Sequence, residues 1–142
     1  MSRWEAWTLH VGTSLVGGTG VIYAWMIYFA TPTDPFAVVN SPWQPLVQHL
    51  HVLFAPVLVF GAGVIWKRHV LFKLRLDDTT RRRSGLSLLW TLAPMIVSGY
   101  LLQIAVDETW RRVWVWVHVS ASALWIVGYV GHQLSKRGHE GA

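Results

Sequence analysis

The sequence contains no cysteine among its 142 residues, and this absence removes several chemistries at once. Without a thiolate the chain cannot ligate an iron–sulfur cluster, attach a haem through thioether bonds, form a disulfide or use a thiol nucleophile. Any metal site must be built from imidazole, carboxylate, thioether or backbone ligands. The seven histidines therefore become the most informative residues of the composition.

Charged residues are scarce as well: they make up 13% of the chain, whereas a soluble domain carries about 25%. Four gaps without any charge follow Glu5, Asp34, Arg83 and Arg112, and they contain 28, 32, 23 and 23 residues. Uncharged apolar runs of about 18 residues or more are typical of membrane-spanning helices. The composition excludes an ordinary soluble enzyme and a disordered tail, and it argues against nucleic-acid binding despite a pI near 10.1.

The four runs predict an all-α membrane protein, a single domain over residues 1–142 that forms a four-helix transmembrane bundle. We expect helices at about residues 7–30, 43–66, 85–106 and 112–135, with the first retained rather than cleaved as a signal peptide. Prolines mark residues 31–42 as a loop, and a basic connector covers residues 67–83. Pro56 and Pro94 lie inside predicted helices, where proline should bend the helix. No internal repeat is evident.

Lysine and arginine predict the orientation of the bundle. The side that holds both termini and the basic connector has ten of them, whereas the opposite side has only Arg111 and Arg112. By the positive-inside rule both termini are cytoplasmic. An aromatic belt at the two membrane interfaces is the expected use of six tryptophans near the span ends: Trp4, Trp7, Trp43, Trp66, Trp110 and Trp114.

Histidine is unusually frequent inside the predicted spans, where His10, His49, His51 and His118 lie, with His132 near the end of the fourth. Ionisable residues within a bilayer are rare and indicate function, although a neutral histidine bonded to a neighbouring helix is the alternative. His118 and His132 are fourteen residues apart, which places them about 21 Å apart and within about 40° of the same helix face.

Helix midpoints assign each histidine a depth, at about 1.5 Å per residue. His118 lies about 7 Å to the outer side, His51 about 6 Å and His49 about 9 Å. His132 lies about 14 Å, and His10 about 12 Å, to the cytoplasmic side. The depths pair His118 with His51 or His49, and His132 with His10. The remaining two, His69 and His139, are expected at the surface.

Two imidazoles at matched depth on facing helices suit the axial positions of a haem, because neutral imidazole is a strong iron ligand. Zinc is the competitor, but it usually takes three or four ligands. Candidates for packing around a planar group, with close helix packing as the alternative, are Ala121, Ser122, Trp125 and Gly128 on the fourth helix and Gly17 and Gly20 on the first. Arg3 and Arg68 are candidates for pairing with acidic propionates.

One histidine early in helix one, one near the start of helix two and a His-x13-His pair in helix four form a recognisable layout. Local sequence agrees with it at Thr19–Gly20, at Leu50–His51 with Arg68, and at Ser98–Gly99–Tyr100. This layout resembles a bacterial family of di-haem b-type cytochromes. The family includes membrane subunits of formate dehydrogenase, nickel–iron hydrogenase and thiosulfate reductase, and stand-alone cytochromes that pass electrons between superoxide and quinone.

The resemblance implies two non-covalent haem b groups in a bacterial cytoplasmic (inner) membrane protein. It assigns the outer haem to His51 and His118 and the cytoplasmic haem to His10 and His132; the additional His49 departs from the family pattern. It also implies an iron–sulfur or c-type cytochrome partner on the outer face and quinone near the cytoplasmic haem. Candidate quinone contacts are Arg3, Trp4, Glu5, Trp7, Gln133 and Lys136.

Three functions follow as hypotheses. The first is a membrane electron-transfer subunit, which relays electrons between a quinone pool and a redox partner on the outer face and is not a complete enzyme by itself. The second is a stand-alone superoxide–quinone oxidoreductase of the same fold. The third is a haem-free bundle that serves as a structural subunit or uses its histidines as a proton relay.

Overall fold

A computed structural model describes residues 2–32, 34–71 and 82–137 of the chain. The described part is helical, with α1 at Arg3–Tyr28, α2 at Gln44–Ile65, a π-helical turn at Trp66–Leu71, α3 at Arg82–Ile104 and α4 at Glu108–Arg137. The helix ends lie within four residues of the ranges expected from the sequence. The chain divides into two compact units, a first hairpin, Met1–Phe72, and a second hairpin, Lys73–Ala142.

A capping box starts α1 four residues earlier than the apolar run predicts. The Ser2 hydroxyl accepts a hydrogen bond from the Glu5 backbone N–H at 3.1 Å, and the Glu5 carboxylate accepts one from the Ser2 N–H at 2.6 Å. These bonds satisfy two of the backbone donors that the first turn of a helix leaves without partners. Glu5 is buried in this position, with 6% of its surface exposed.

The loop after α1 returns to cap the helix that precedes it. The Asn40 side-chain amide donates to the carbonyls of Met26 at 3.2 Å and Ile27 at 2.8 Å. These carbonyls belong to the last turn of α1, which has no following backbone N–H groups to bond them. Asn40 therefore ties the loop to the end of α1 just before α2 begins.

Within the first hairpin, α1 and α2 run antiparallel and approach closely at two glycines. A Cβ atom added to Gly12 would lie 3.0 Å from the Leu58 Cα, and one added to Gly61 would lie 3.3 Å from the Leu9 Cα. Backbone contact of this kind is typical of membrane helix pairs, in which small residues let two helices pack without side chains between them. α2 continues through Pro56 without ending.

In the second hairpin, α3 continues through Pro94 and packs antiparallel against α4. α4 begins at Glu108, four residues before the start expected from the sequence. The Asp107 carboxylate accepts a hydrogen bond from the Trp110 N–H at 2.9 Å and so caps the first turn of α4. Gly128 of α4 faces Leu88 of α3, whose Cδ2 would lie 3.3 Å from an added Cβ.

Within the described residues, four helical stretches are long and apolar enough to cross a membrane, namely Arg3–Tyr28, Gln44–Ile65, Gly85–Ile104 and Glu108–Leu134. Even the shortest, with 20 residues, reaches about 30 Å, the thickness of a bilayer's hydrocarbon core. Many large apolar side chains are exposed, among them Trp90, Trp116 and Val127. Such a surface suits lipid rather than water. The chain is therefore a multi-pass membrane protein.

Candidate functional site

His51 is held in the first hairpin by two oxygen atoms of α1. Its Nδ1 atom lies 3.1 Å from the carbonyl oxygen of Val16 and 3.3 Å from the hydroxyl oxygen of Thr19. The Thr19 hydroxyl in turn lies 2.7 Å from the Leu15 carbonyl, one helical turn back. The imidazole is half-buried between the helices.

His118 is held in the second hairpin by the equivalent atoms of α3. Its Nδ1 atom lies 3.0 Å from the carbonyl oxygen of Met95 and 3.2 Å from the hydroxyl oxygen of Ser98. The Ser98 hydroxyl lies 2.5 Å from the Pro94 carbonyl, again one turn back. Ser98 is fully buried, and the imidazole of His118 is half-buried.

A glycine directly after each hydroxyl residue makes room for the imidazole. A Cβ atom on Gly20 would lie 2.9 Å from Cε1 of His51, and one on Gly99 would lie 3.1 Å from Cε1 of His118. Real Cβ contacts are almost never shorter than about 3.0 Å, and the atoms in the way are carbons of a ring that the hydrogen bonds hold in place. The two hairpins thus contain the same histidine clamp: a helix carbonyl, a hydroxyl three residues later and a glycine after it.

The clamp determines which nitrogen of each ring carries the proton. A carbonyl oxygen only accepts hydrogen bonds, so Nδ1 of His51 and of His118 must be the donor in the neutral imidazole. The lone pair is then on Nε2. An imidazole with its Nδ1–H bonded to a carbonyl and its lone pair on Nε2 is the usual form of a metal-binding histidine in proteins.

The other predicted histidines lie in less constrained surroundings. His49 is exposed, although it is only two residues from His51 on α2. His10 is half-buried on α1, and its ring meets that of Trp7 edge-on with centroids 6.4 Å apart. His132 is half-buried on α4. Each expected pair takes one histidine from each hairpin, so the pairing of His51 with His118 and of His10 with His132 stays a prediction.

The predicted packing residues fall into three groups. On α4, Ala121 and Trp125 are buried, and the Trp125 ring stacks on Tyr129 with centroids 5.3 Å apart. Gly20 already accommodates His51 and Gly128 already accommodates Leu88, so contacts within each hairpin account for both. Gly17 and Ser122 are half-buried.

The candidate quinone contacts at the start of α1 differ in exposure. Arg3, Trp4 and Trp7 are exposed, whereas Glu5 is buried, and Gln133 near the end of α4 is half-buried. The side chains of Lys136, of the propionate candidate Arg68 and of His69 lie outside the part of the chain whose side chains the structure describes, and so does His139.

Thr13 is a polar residue that the sequence did not single out for chemistry. It is buried on α1, one turn after His10, with 8% of its surface exposed. Its hydroxyl oxygen has no hydrogen-bond partner in the part of the chain that the structure describes. It differs in this from Thr8 on the same helix, whose hydroxyl donates to the Trp4 carbonyl at 3.0 Å.

The hydroxyls and carbonyls of the clamps are the site atoms that the sequence did not reveal. Thr19 and Ser98 stood out only as parts of short motifs, and the carbonyls of Val16 and Met95 have no sequence signature at all. Among the described residues, no group of three or more His, Asp or Glu side chains is placed to hold a metal ion.

Comparisons of this chain with protein families, with curated proteins and with solved structures found no match.

Proposed function

We propose that this protein is a di-haem b-type cytochrome of a bacterial cytoplasmic membrane. It relays electrons between the quinone pool and a redox partner on the outer face, as the membrane subunit of an oxidoreductase complex. The observation that supports this most strongly is the pair of histidine clamps, since each hairpin supplies one imidazole whose Nδ1–H is bonded and whose lone pair is on Nε2.

The donor set fits haem iron. His51 and His118 would hold one haem through their Nε2 lone pairs, since neutral imidazole is a strong ligand of haem iron. His10 and His132 would hold the second haem. When bound, haem supplies reversible one-electron transfer between ferric and ferrous iron. In a membrane, the apolar helices would limit the access of water to the haems, which would contribute to their reduction potentials.

The start of α1 suits a quinone at the cytoplasmic end. Reduction of a quinone consumes protons and oxidation of a quinol releases them, and the buried Glu5 offers a carboxyl group that would donate a proton when protonated and accept one when ionised. Arg3 and Trp4 lie beside it on the exposed surface, where a lipid-soluble molecule can approach from the bilayer. The excess of lysine and arginine near the termini and in the connector supports a cytoplasmic location for this end.

Electron relay is testable in lipid vesicles that contain the purified protein and enclose ferricyanide, which does not cross the bilayer. A short-chain quinol is added outside, and loss of ferricyanide absorbance reports electron transfer. We expect rapid reduction with the wild-type protein. We expect vesicles with His118→Ala or His132→Ala to reduce ferricyanide no faster than protein-free vesicles, because each variant removes one proposed haem ligand.

His49→Ala is the matched control for this experiment, because His49 is exposed and lies two residues from His51. It should leave the rate unchanged, whereas His51→Ala should abolish relay. Wild-type vesicles that reduce ferricyanide no faster than protein-free vesicles would refute the proposed function.

A further inference from the structure

We infer that Thr19 and Ser98 are positioning residues that fix the proton of His51 and His118 on Nδ1. Through this they control how readily an iron atom bound at the two Nε2 atoms is reduced. The effect on iron rests on the proposed function, whereas the control of the tautomer rests only on the geometry within each hairpin.

The hydroxyl proton of each residue is used inside its own helix. Thr19 donates to the Leu15 carbonyl at 2.7 Å and Ser98 donates to the Pro94 carbonyl at 2.5 Å, the shortest contact that either oxygen makes. A hydroxyl has one proton and two lone pairs. Once the proton is used in this way, the oxygen can only present a lone pair to the Nδ1 atom across the hairpin.

Each Nδ1 atom therefore faces two acceptors, a carbonyl and a hydroxyl oxygen, at 3.0 to 3.3 Å. In the alternative tautomer the proton is on Nε2, and the Nδ1 lone pair would face the lone pairs of both oxygen atoms. No proton would then lie between these three atoms. Desolvated polar atoms that face each other without a proton are costly in an apolar interior. The second acceptor thus strengthens the preference for Nδ1–H beyond what a carbonyl alone provides.

A hydrogen bond from Nδ1–H makes the imidazole a more basic ligand. A more basic ligand favours the ferric over the ferrous state of the bound iron, since the ferric ion has the greater positive charge. Loss of one acceptor should therefore make the iron easier to reduce. Because His51 and His118 are the predicted ligands of one haem, Thr19 and Ser98 should affect the same haem although they lie on different helices.

A redox titration of the purified wild-type protein and its variants, followed by visible absorption, measures this effect. We expect Thr19→Val and Ser98→Ala each to change the equilibrium constant of one of the two reduction steps by about three- to tenfold in favour of ferrous iron. This change corresponds to the net free energy of about one hydrogen bond. Tenfold corresponds to about 59 mV for one electron. The double variant should shift the same step further and leave the other step unchanged.

Conservative and matched variants separate this role from general damage to the helices. Thr19→Ser keeps the hydroxyl and should retain the wild-type titration. Thr8→Val and Thr91→Val remove helix hydroxyls that bond the carbonyl one turn back, at 3.0 and 2.9 Å. Neither hydroxyl bonds a histidine in the part of the chain that the structure describes. Both control variants should have the wild-type reduction potential at each of the two steps.

The inference is overturned if Thr19→Val and Ser98→Ala leave both reduction steps unchanged, or if they shift different haems. If the wild-type protein contains no haem, the proposed function fails, and nitrogen NMR of that protein labelled at histidine then decides the inference. Protons on Nδ1 of His51 and His118 would support it, and protons on Nε2 would overturn it.

Discussion

At the scale of single residues, the glycine after the hydroxyl distinguishes a histidine clamp from an ordinary helix hydroxyl. Thr8, Thr19, Thr91 and Ser98 all bond the carbonyl one turn back along their helices. Thr8 and Thr91 are followed by leucine, whereas Thr19 and Ser98 are followed by glycine and lie next to a histidine. A side chain at the following position would fill the space that the imidazole occupies.

We therefore expect Gly20→Ala to displace His51, because the added methyl would lie 2.9 Å from the ring. Forcing a methyl into such a contact costs about 1–3 kcal/mol. The variant should lose most of one haem of the two, measured as pyridine haemochrome per chain. Gly18→Ala is the control, since an added Cβ there meets nothing within 4 Å, and it should keep both haems. Equal haem content in the two variants would contradict the clamp.

The buried Thr13 hydroxyl leads to a prediction about stability. Because the oxygen lacks a partner among the described residues, it contributes the cost of desolvation without a compensating bond. Thr13→Val keeps the shape of the side chain and should raise the free energy of unfolding by about 1 kcal/mol. Thermal unfolding in detergent measures the change, with Thr8→Val as the comparison at a half-buried residue whose hydroxyl is bonded. A clear loss of stability in Thr13→Val would show that the hydroxyl is bonded in the protein.

At the scale of helices, the apolar runs predicted all four elements because a span of about 20 residues without charge has few alternatives to a membrane helix. The ends were less accurate, since local capping determines them. Ser2 and Glu5 extend α1 back to Arg3, and Asp107 caps α4 at a start four residues before the expected one. The serine–glutamate spacing is a capping signal that the sequence already contained.

The close approach of α1 and α2 gives a prediction at this scale. Gly12→Ala should weaken the first hairpin by about 1–3 kcal/mol, because the added methyl would lie 3.0 Å from the backbone of Leu58, which cannot move aside as a side chain can. Gly63→Ala has open space around it and should be neutral or slightly stabilising, since alanine favours helix over glycine. Chemical unfolding in detergent micelles compares the two. Similar stabilities would contradict the backbone contact.

At the scale of the whole molecule, two hairpins repeat one arrangement that the sequence conceals. The clamp of the first hairpin joins residues 32 apart and that of the second joins residues 20 apart, so no fixed period marks the repeat. The histidines themselves were predictable, because ionisable residues stand out in apolar runs. The clamps were not predictable, because one of the two oxygen atoms in each clamp belongs to a backbone carbonyl, which any residue can supply. His49 is exposed and His51 lies in a clamp, so the two residues that the sequence left as alternatives differ in their surroundings, and the choice of ligand stays a prediction.

The central claim is that the four membrane helices hold two haem groups through His10, His51, His118 and His132. The most direct test is a dithionite-reduced minus oxidised visible spectrum of the purified protein, made with ample haem supply, together with a pyridine haemochrome count per chain. The account predicts two b-type haems per chain. A colourless protein would contradict it and would leave the histidine clamps as elements of helix packing or proton transfer.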